Sequence, residues 1–147
     1  MSASDTINHL IFEIARLSFS QSHPILEKYG LYPGQPRLLL CLYHENGVSQ
    51  GTLAEKLQVK ASTITMAIKR LERGGLLRKA CDTEDKRVCR IFLTDKGYSV
   101  CRELKLIHDS QEALYTENFS IEEKIILKRL LMQVRQNLID AELKGDE

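Results

Sequence analysis

The chain has 147 residues, 43% of them hydrophobic and 28% charged, with a formal net charge of +1. That length and balance fit one ordinary soluble globular domain, and no run approaches the roughly 20 apolar residues that span a bilayer. The charge is unevenly spread: residues 49–94 hold ten Lys or Arg against five Asp or Glu, +5, while the rest of the chain stands at −4. One basic third with mildly acidic flanks suits a module that touches a polyanion.

Residues 5–28 carry Ile7, Leu10, Ile11, Ile14 and Leu17 at helical spacing. This predicts a first helix with Asp5 as N-cap and Gly30 as a left-handed C-cap. A second helix is expected from near Pro33, with Leu38, Leu39, Leu40, Leu42 and Tyr43, to a stop at Asn46-Gly47. Ser49-Gln-Gly-Thr-Leu-Ala-Glu-Lys-Leu57 reads as a short helix capped by Ser49. The tight connection Gln58-Val59-Lys60 leads to a helix over residues 61–73, ended by Gly74-Gly75, a pair that costs helix entropy and permits positive φ.

The period then changes. Residues 76–80 and 88–93 are short β-compatible runs around the charged stretch 81–87, a strand pair with a polar tip. Cys89, Ile91 and Leu93 share one face, Arg90 and Phe92 the other. Thr94-Asp95 opens a helix to about Tyr115, striped by Val100, Leu104, Ile107 and Leu114. Ser120 and Glu123 match a capping box with Phe119 as hydrophobic staple, and the last helix carries Ile125, Ile126, Leu130, Leu131, Val134 and Leu138. The fold class is mainly α with a small β-hairpin wing, a winged helix-turn-helix, read as a single domain over residues 1–147.

In a helix-turn-helix the second helix lies in the major groove and the first braces it. Ile64, Ile68 and Leu71 form the inward stripe of that second helix. Its other face offers Ser62, Thr63, Thr65, Met66, Lys69, Arg70 and Arg73, with Ser49 and Gln50 at the head of the bracing helix. Hydroxyls near the helix start approach base edges or phosphates, and the longer cations reach the backbone. The hairpin tip brings Lys86 and Arg87 on an extended arm suited to the minor groove.

From about Leu31 to Gly97 the sequence resembles the MarR (multiple antibiotic resistance regulator) family of winged-helix transcription regulators. The matching stretches are Ser49 to Leu57, Ser62-Thr-Ile-Thr65, Arg70-Leu-Glu-Arg-Gly74, Asp82-Thr-Glu-Asp-Lys-Arg87 and Leu93-Thr-Asp-Lys-Gly97. The resemblance implies a homodimer formed by residues 1–30 and 95–147, around a DNA-binding lobe over residues 31–94. It also implies palindromic double-stranded DNA, with Arg87 in the minor groove, Asp85 steadying it, and Ser62, Thr63, Thr65 and Lys69 on the recognition face. A departure is Lys60, where relatives carry a capping serine; lysine offers the free amides no acceptor. Many relatives bind small aromatic or anionic effectors beside the DNA-binding lobe, and Arg16 is the candidate for such an anion.

The start Met1-Ser-Ala-Ser-Asp5 lacks the basic and apolar parts of a signal peptide, so a cytoplasmic location with four reduced cysteines is expected. Cys41 and Cys89 read as small buried hydrophobes, while Cys81, at the wing base beside basic residues, is the candidate redox thiol. His44 and Glu45 on the second helix, with the distant His108, could approach a metal on folding, but scattered histidines read as ordinary surface or packing residues, and no metal or cofactor is expected. No nucleophile elbow, glycine-rich phosphate loop or metal-hydrolase spacing points to an enzyme. The expected function is a dimeric, sequence-specific repressor released by a small molecule. The alternatives are a cysteine- or metal-responsive regulator of the same fold, or a winged-helix module that binds protein without DNA.

Overall fold

The computed structural model describes residues 6–145. In chain order it contains α1 (Ile7–Tyr29), α2 (Gln35–His44), β1 (Val48–Ser49), α3 (Gln50–Leu57), α4 (Ala61–Arg73), β2 (Leu77–Cys81), β3 (Cys89–Leu93), α5 (Asp95–Tyr115) and α6 (Ile121–Gly145). The chain forms two compact units, Met1–Asp109 and Ser110–Glu147.

The helices begin and end where local chemistry dictates. Asp5, the expected cap of α1, lies outside the described residues; Thr6 holds the N-cap position and accepts from the His9 amide at 3.2 Å. Gly30 closes α1 in the left-handed conformation, φ 61°. α2 starts at Gln35, two residues later than expected, because Gly34 has φ 88° and cannot be helical. The buried Gln35 side chain accepts from the Tyr32 amide at 2.9 Å and fixes that entry. Ser49 caps α3 as expected, accepting from the Thr52 amide at 3.1 Å. The turn to α4 places Gln58 in the left-handed region, φ 53°.

The sheet has the order β1-β3-β2, all antiparallel. Sequence periodicity missed β1, since two residues show no alternation; Val48 and Ser49 pair with Ile91 and Arg90. The expected faces of β3 hold, with Ile91 and Leu93 buried and Arg90 exposed. The core of the first unit gathers Leu38, Leu39 and Leu42 of α2, Leu53 of α3, Ile64 of α4, Ile91 of β3, and Val100 and Cys101 of α5, all at 2% exposure or less. Each such leucine contributes about 1.5–3 kcal/mol by leaving water.

The exit from β3 into α5 explains the Leu93-Thr-Asp-Lys-Gly97 stretch. The Thr94 hydroxyl donates to the Gly75 carbonyl and accepts from the Gly97 amide at 3.0 Å, while the Thr94 amide reaches the Leu76 carbonyl at 3.1 Å. A Cβ on Gly97 would stand 2.2 Å from that Leu76 carbonyl oxygen, so only glycine fits this close approach. Lys28 of α1 and Glu103 of α5 pair at 2.9 Å, and the Tyr29 hydroxyl donates to the same carboxylate.

In the second unit the capping box forms in both directions. The Ser120 amide donates to Glu123 at 2.8 Å and the Glu123 amide to the Ser120 hydroxyl at 3.1 Å. α6 has no buried residue. Ile121, Ile125, Ile126, Leu130, Leu131, Met132, Leu138 and Leu143 are all exposed along it. In the first unit, Ile7, Leu10, Ile11, Phe12, Ile14 and Leu17 of α1 are exposed as well. No described helix is long and apolar enough to cross a membrane.

Candidate nucleic-acid interface

The helical pair α3–α4 is built by its apolar faces. Leu53 and Leu57 of α3 and Ile64, Ile68 and Leu71 of α4 are buried, which turns the polar side of α4 outward. Ser62, Thr63, Met66, Lys69, Arg70 and Arg73 are all exposed on it. Lys60 holds the N-cap position without a side-chain hydrogen bond, so the first-turn amides of α4 lack a side-chain acceptor, as the sequence implied.

Several expected contact residues are held within the lobe. The Gln50 side-chain Nε2 donates to the Thr65 hydroxyl, which itself donates to the Ala61 carbonyl at 2.8 Å. This bond ties the head of α3 to α4 and sets the angle between them. The Ser49 hydroxyl serves the α3 cap, and Arg70 stacks on the Tyr32 ring with its guanidinium 4.2 Å from the centroid. Lys69, Arg73 and Lys86 have no ion-pair partner among the described residues.

The hairpin β2–β3 holds register from Leu77↔Leu93 to Cys81↔Cys89, and its tip is residues 82–88. Asp85 grips Arg87 through both carboxylate oxygens, Oδ1 to Nε at 3.0 Å and Oδ2 to Nη2 at 3.2 Å, and also accepts from the Arg87 amide at 3.1 Å. The Arg87 side chain is nevertheless 91% exposed. Hydrogen bonding from the guanidinium, then from the amide, holds the Asp85 carboxyl below its ordinary range. The result is an extended cation whose direction is fixed by a fork that fits it on two atoms.

Sequence reading overlooked three arginines that build the lobe. Arg37 donates to the Leu57 carbonyl at 3.3 Å, Arg90 to the Gly47 carbonyl at 3.1 Å, and Arg78 lies over the Phe92 ring at 4.4 Å. Part of the basic surplus therefore holds the scaffold. Only the contacts of individual side chains separate these arginines, themselves exposed, from the outward set, and a count of charges does not carry them.

The cysteines correct the sequence reading. Cys81 and Cys89 are joined in a disulfide, so neither the four reduced thiols, nor Cys89 as a small buried hydrophobe, nor Cys81 as a thiol beside basic residues is what the structure shows. The physical reason is the strand register, which sets the two residues directly opposite each other. Their symmetric placement about the tip was the available signal. Cys101 is buried, donates to the Leu39 carbonyl at 3.4 Å, and burial pushes its thiol up to about 11; Cys41 packs half-buried against the core.

Arg16 is exposed on α1. It does not line the open cavity of about 390 Å³ walled by Leu40, Tyr43, His44, Lys105 and His108, nor the one of about 370 Å³ beside Phe19, His23 and Tyr32. His44 and His108 thus share a cavity wall, but the described residues contain no group of three or more His, Cys, Asp or Glu that could hold a metal ion.

Comparison with known proteins places this arrangement. Residues 31–89 match the model of the MarR family. The uncharacterised HTH-type transcriptional regulator YybA of Bacillus subtilis (strain 168) is 33% identical over 125 residues, covering 85% of this chain and 83% of YybA. The crystal structure of the transcriptional regulator SlyA is similar with a TM-score of 0.81 at 28% identity, covering 92% of this chain and 95% of that one. A putative MarR-family regulator from Listeria monocytogenes, solved with a 26mer DNA, gives 0.80 at 27% identity, covering 93% and 91%. With a winged helix-turn-helix whose sequence and fold both match, this chain belongs to the MarR family of transcriptional regulators and is not an enzyme.

Proposed function

We propose that the chain is a repressor that binds a palindromic operator as a homodimer. α4 would enter the major groove and the wing the adjacent minor groove. The observation that carries this reading is the pairing of two exposed cationic elements on one braced lobe, Lys69 and Arg73 on α4 and the Asp85-held Arg87 on the wing. Ser62, Thr63 and Met66 face the bases, with Lys69, Arg73 and Lys86 on phosphates. Gln50, Thr65, Ser49 and Arg70 act chiefly by fixing the angle of α4. The Listeria relative solved with DNA supports the same use of the fold here. Repression follows from a dimer that covers promoter DNA, and the site of action is the cytoplasm.

Dimerisation is supported by the uncovered apolar residues of α1 and α6, more than a soluble monomer keeps in water. Light scattering is expected to give the mass of two chains. The cavity walled by Tyr43, His44, Lys105 and His108 suits a small aromatic or anionic effector. Fluorescence anisotropy on DNA from upstream of its own gene tests the central reading. Arg87→Ala should weaken binding by about 1–2 kcal/mol, roughly 5- to 30-fold, without altering the dimer. Unchanged affinity in that variant would remove the wing from the interface.

A further inference from the structure

We propose that Cys81 and Cys89 form a dithiol–disulfide couple that sets the order of the wing tip, and through it the affinity for DNA; the inference rests on the wing being a DNA contact. The oxidised form is the tight binder and the reduced form the weaker one.

The Asp82 amide donates to the Val88 carbonyl at 2.8 Å, so residues 82 and 88 are a hydrogen-bonded pair. Cys81 and Cys89, the next pair back, are then of the non-hydrogen-bonded kind, in which opposite side chains stand closest. Their Cα atoms are 3.9 Å apart. The pairing that makes the wing therefore brings the two sulfurs together whether or not they are bonded.

Position gives the pair its consequence. It closes the hairpin where the ladder ends and the charged tip begins. The hydrogen bonds of the tip join its own residues: Glu84 amide to Asp82 at 2.9 Å, Val88 amide to the Asp85 carbonyl at 3.0 Å, and the Asp85–Arg87 grip. These bonds are exposed to water and hold the tip weakly. The cross-link removes the freedom of the two strand ends to part, so Arg87 meets DNA already placed and less order is lost on binding.

Accessibility makes the couple responsive. Cys81 is exposed and Cys89 half-buried, on an arm that reaches into solvent. The oxidant is a low-molecular-weight disulfide, such as glutathione disulfide. The Cys81 thiolate attacks one of its sulfurs, forming a mixed disulfide and releasing one small thiolate. The Cys89 thiolate then attacks the Cys81 sulfur and releases the second. Two protein thiols are oxidised, one small disulfide is reduced to two thiols, and the two protons lost by the cysteines leave with them. The reverse exchange, driven by excess small thiol, reopens the tip. The remaining cysteines serve as internal controls, for Cys101 is buried with its thiol pushed up to about 11.

The test equilibrates the full chain at several ratios of reduced to oxidised glutathione. Thiols are counted by N-ethylmaleimide labelling after denaturation, and each sample is titrated into the DNA from upstream of its own gene. Two labelled cysteines in the oxidised sample and four in the reduced one are expected. Oxidised wild type should bind about three- to tenfold more tightly, the fold-change of sparing one side chain its ordering. The Cys81→Ser/Cys89→Ser double variant should hold the reduced affinity at every ratio. Four labelled cysteines throughout would overturn the couple. Equal affinity of the two forms, with Arg87→Ala still weakened, would overturn the link to DNA while sparing the wing contact. Should Arg87→Ala bind like wild type as well, the wing contact itself fails and takes the inference with it.

Discussion

Arg87 is held by its neighbour in a way that suits the proposed wing contact. A free arginine on a hairpin tip loses several rotamers on binding; the Asp85 fork has already removed part of that freedom. Asp85→Asn keeps the shape but loses the charge, and should weaken DNA binding less than Arg87→Ala does. Equal losses would mean that Asp85 does more than orient. In the proposed interface Lys69 acts differently, as a point charge on phosphate: Lys69→Ala should lower affinity across all sequences and reduce the salt slope by about 1. Glu103 provides a residue-scale prediction away from DNA. The Lys28 ammonium, then the Tyr29 hydroxyl, holds its carboxyl below the ordinary range, so its folded-state value lies under its unfolded one. The stability this contact adds is thus fully present above about pH 4.3 and is lost as pH falls through the depressed value. Thermal melts of Glu103→Gln should show a shallower loss between neutral and acid pH than wild type.

Elements differ in how much of themselves the sequence declares. α4 was legible to the residue, Ala61–Arg73, because a regular Ile64, Ile68, Leu71 stripe meets a double-glycine stop, with the positive φ taken by Gly75. The wing strands were legible within one residue, since β-compatible runs flank a charged tip. β1 was not, because a two-residue strand exists only through its partner Ile91. The disulfide was missed for the same reason: it is a property of register between strands, while each cysteine alone reads as a hydrophobe or a thiol. The exposed polar side of α4 was legible as a set, but Gln50 and Thr65 bonding to each other is a fact of the α3–α4 crossing that no single helix shows. The strand-to-helix exit supplies the sharpest stability prediction. Gly97→Ala forces a Cβ against the Leu76 carbonyl and should cost about 1–3 kcal/mol in denaturant melts, whereas Gly51→Ala, with open space around it, should cost little.

At the scale of the molecule, the proposed function assigns the basic lobe to DNA and the two uncovered apolar faces to a second copy. The net charge of +1 hides this division, as the sequence splits into +5 over residues 49–94 and −4 elsewhere. A charged substitution such as Leu130→Glu on α6 is expected to shift light scattering toward one chain and to weaken DNA binding with it, since each half-site is then held alone; a full-size dimer would place Leu130 outside the interface. If a dimer neutralises roughly 6–10 phosphates, affinity falls by about 10³–10⁵ between 50 mM and 200 mM salt. The most direct measurement is anisotropy of the purified chain on labelled DNA from upstream of its own gene, beside a scrambled duplex of equal composition, at those two salt concentrations. The account predicts tight binding to the first duplex, much weaker binding to the second, and a steep loss with salt. Equal binding to both duplexes, or binding indifferent to salt, would contradict it.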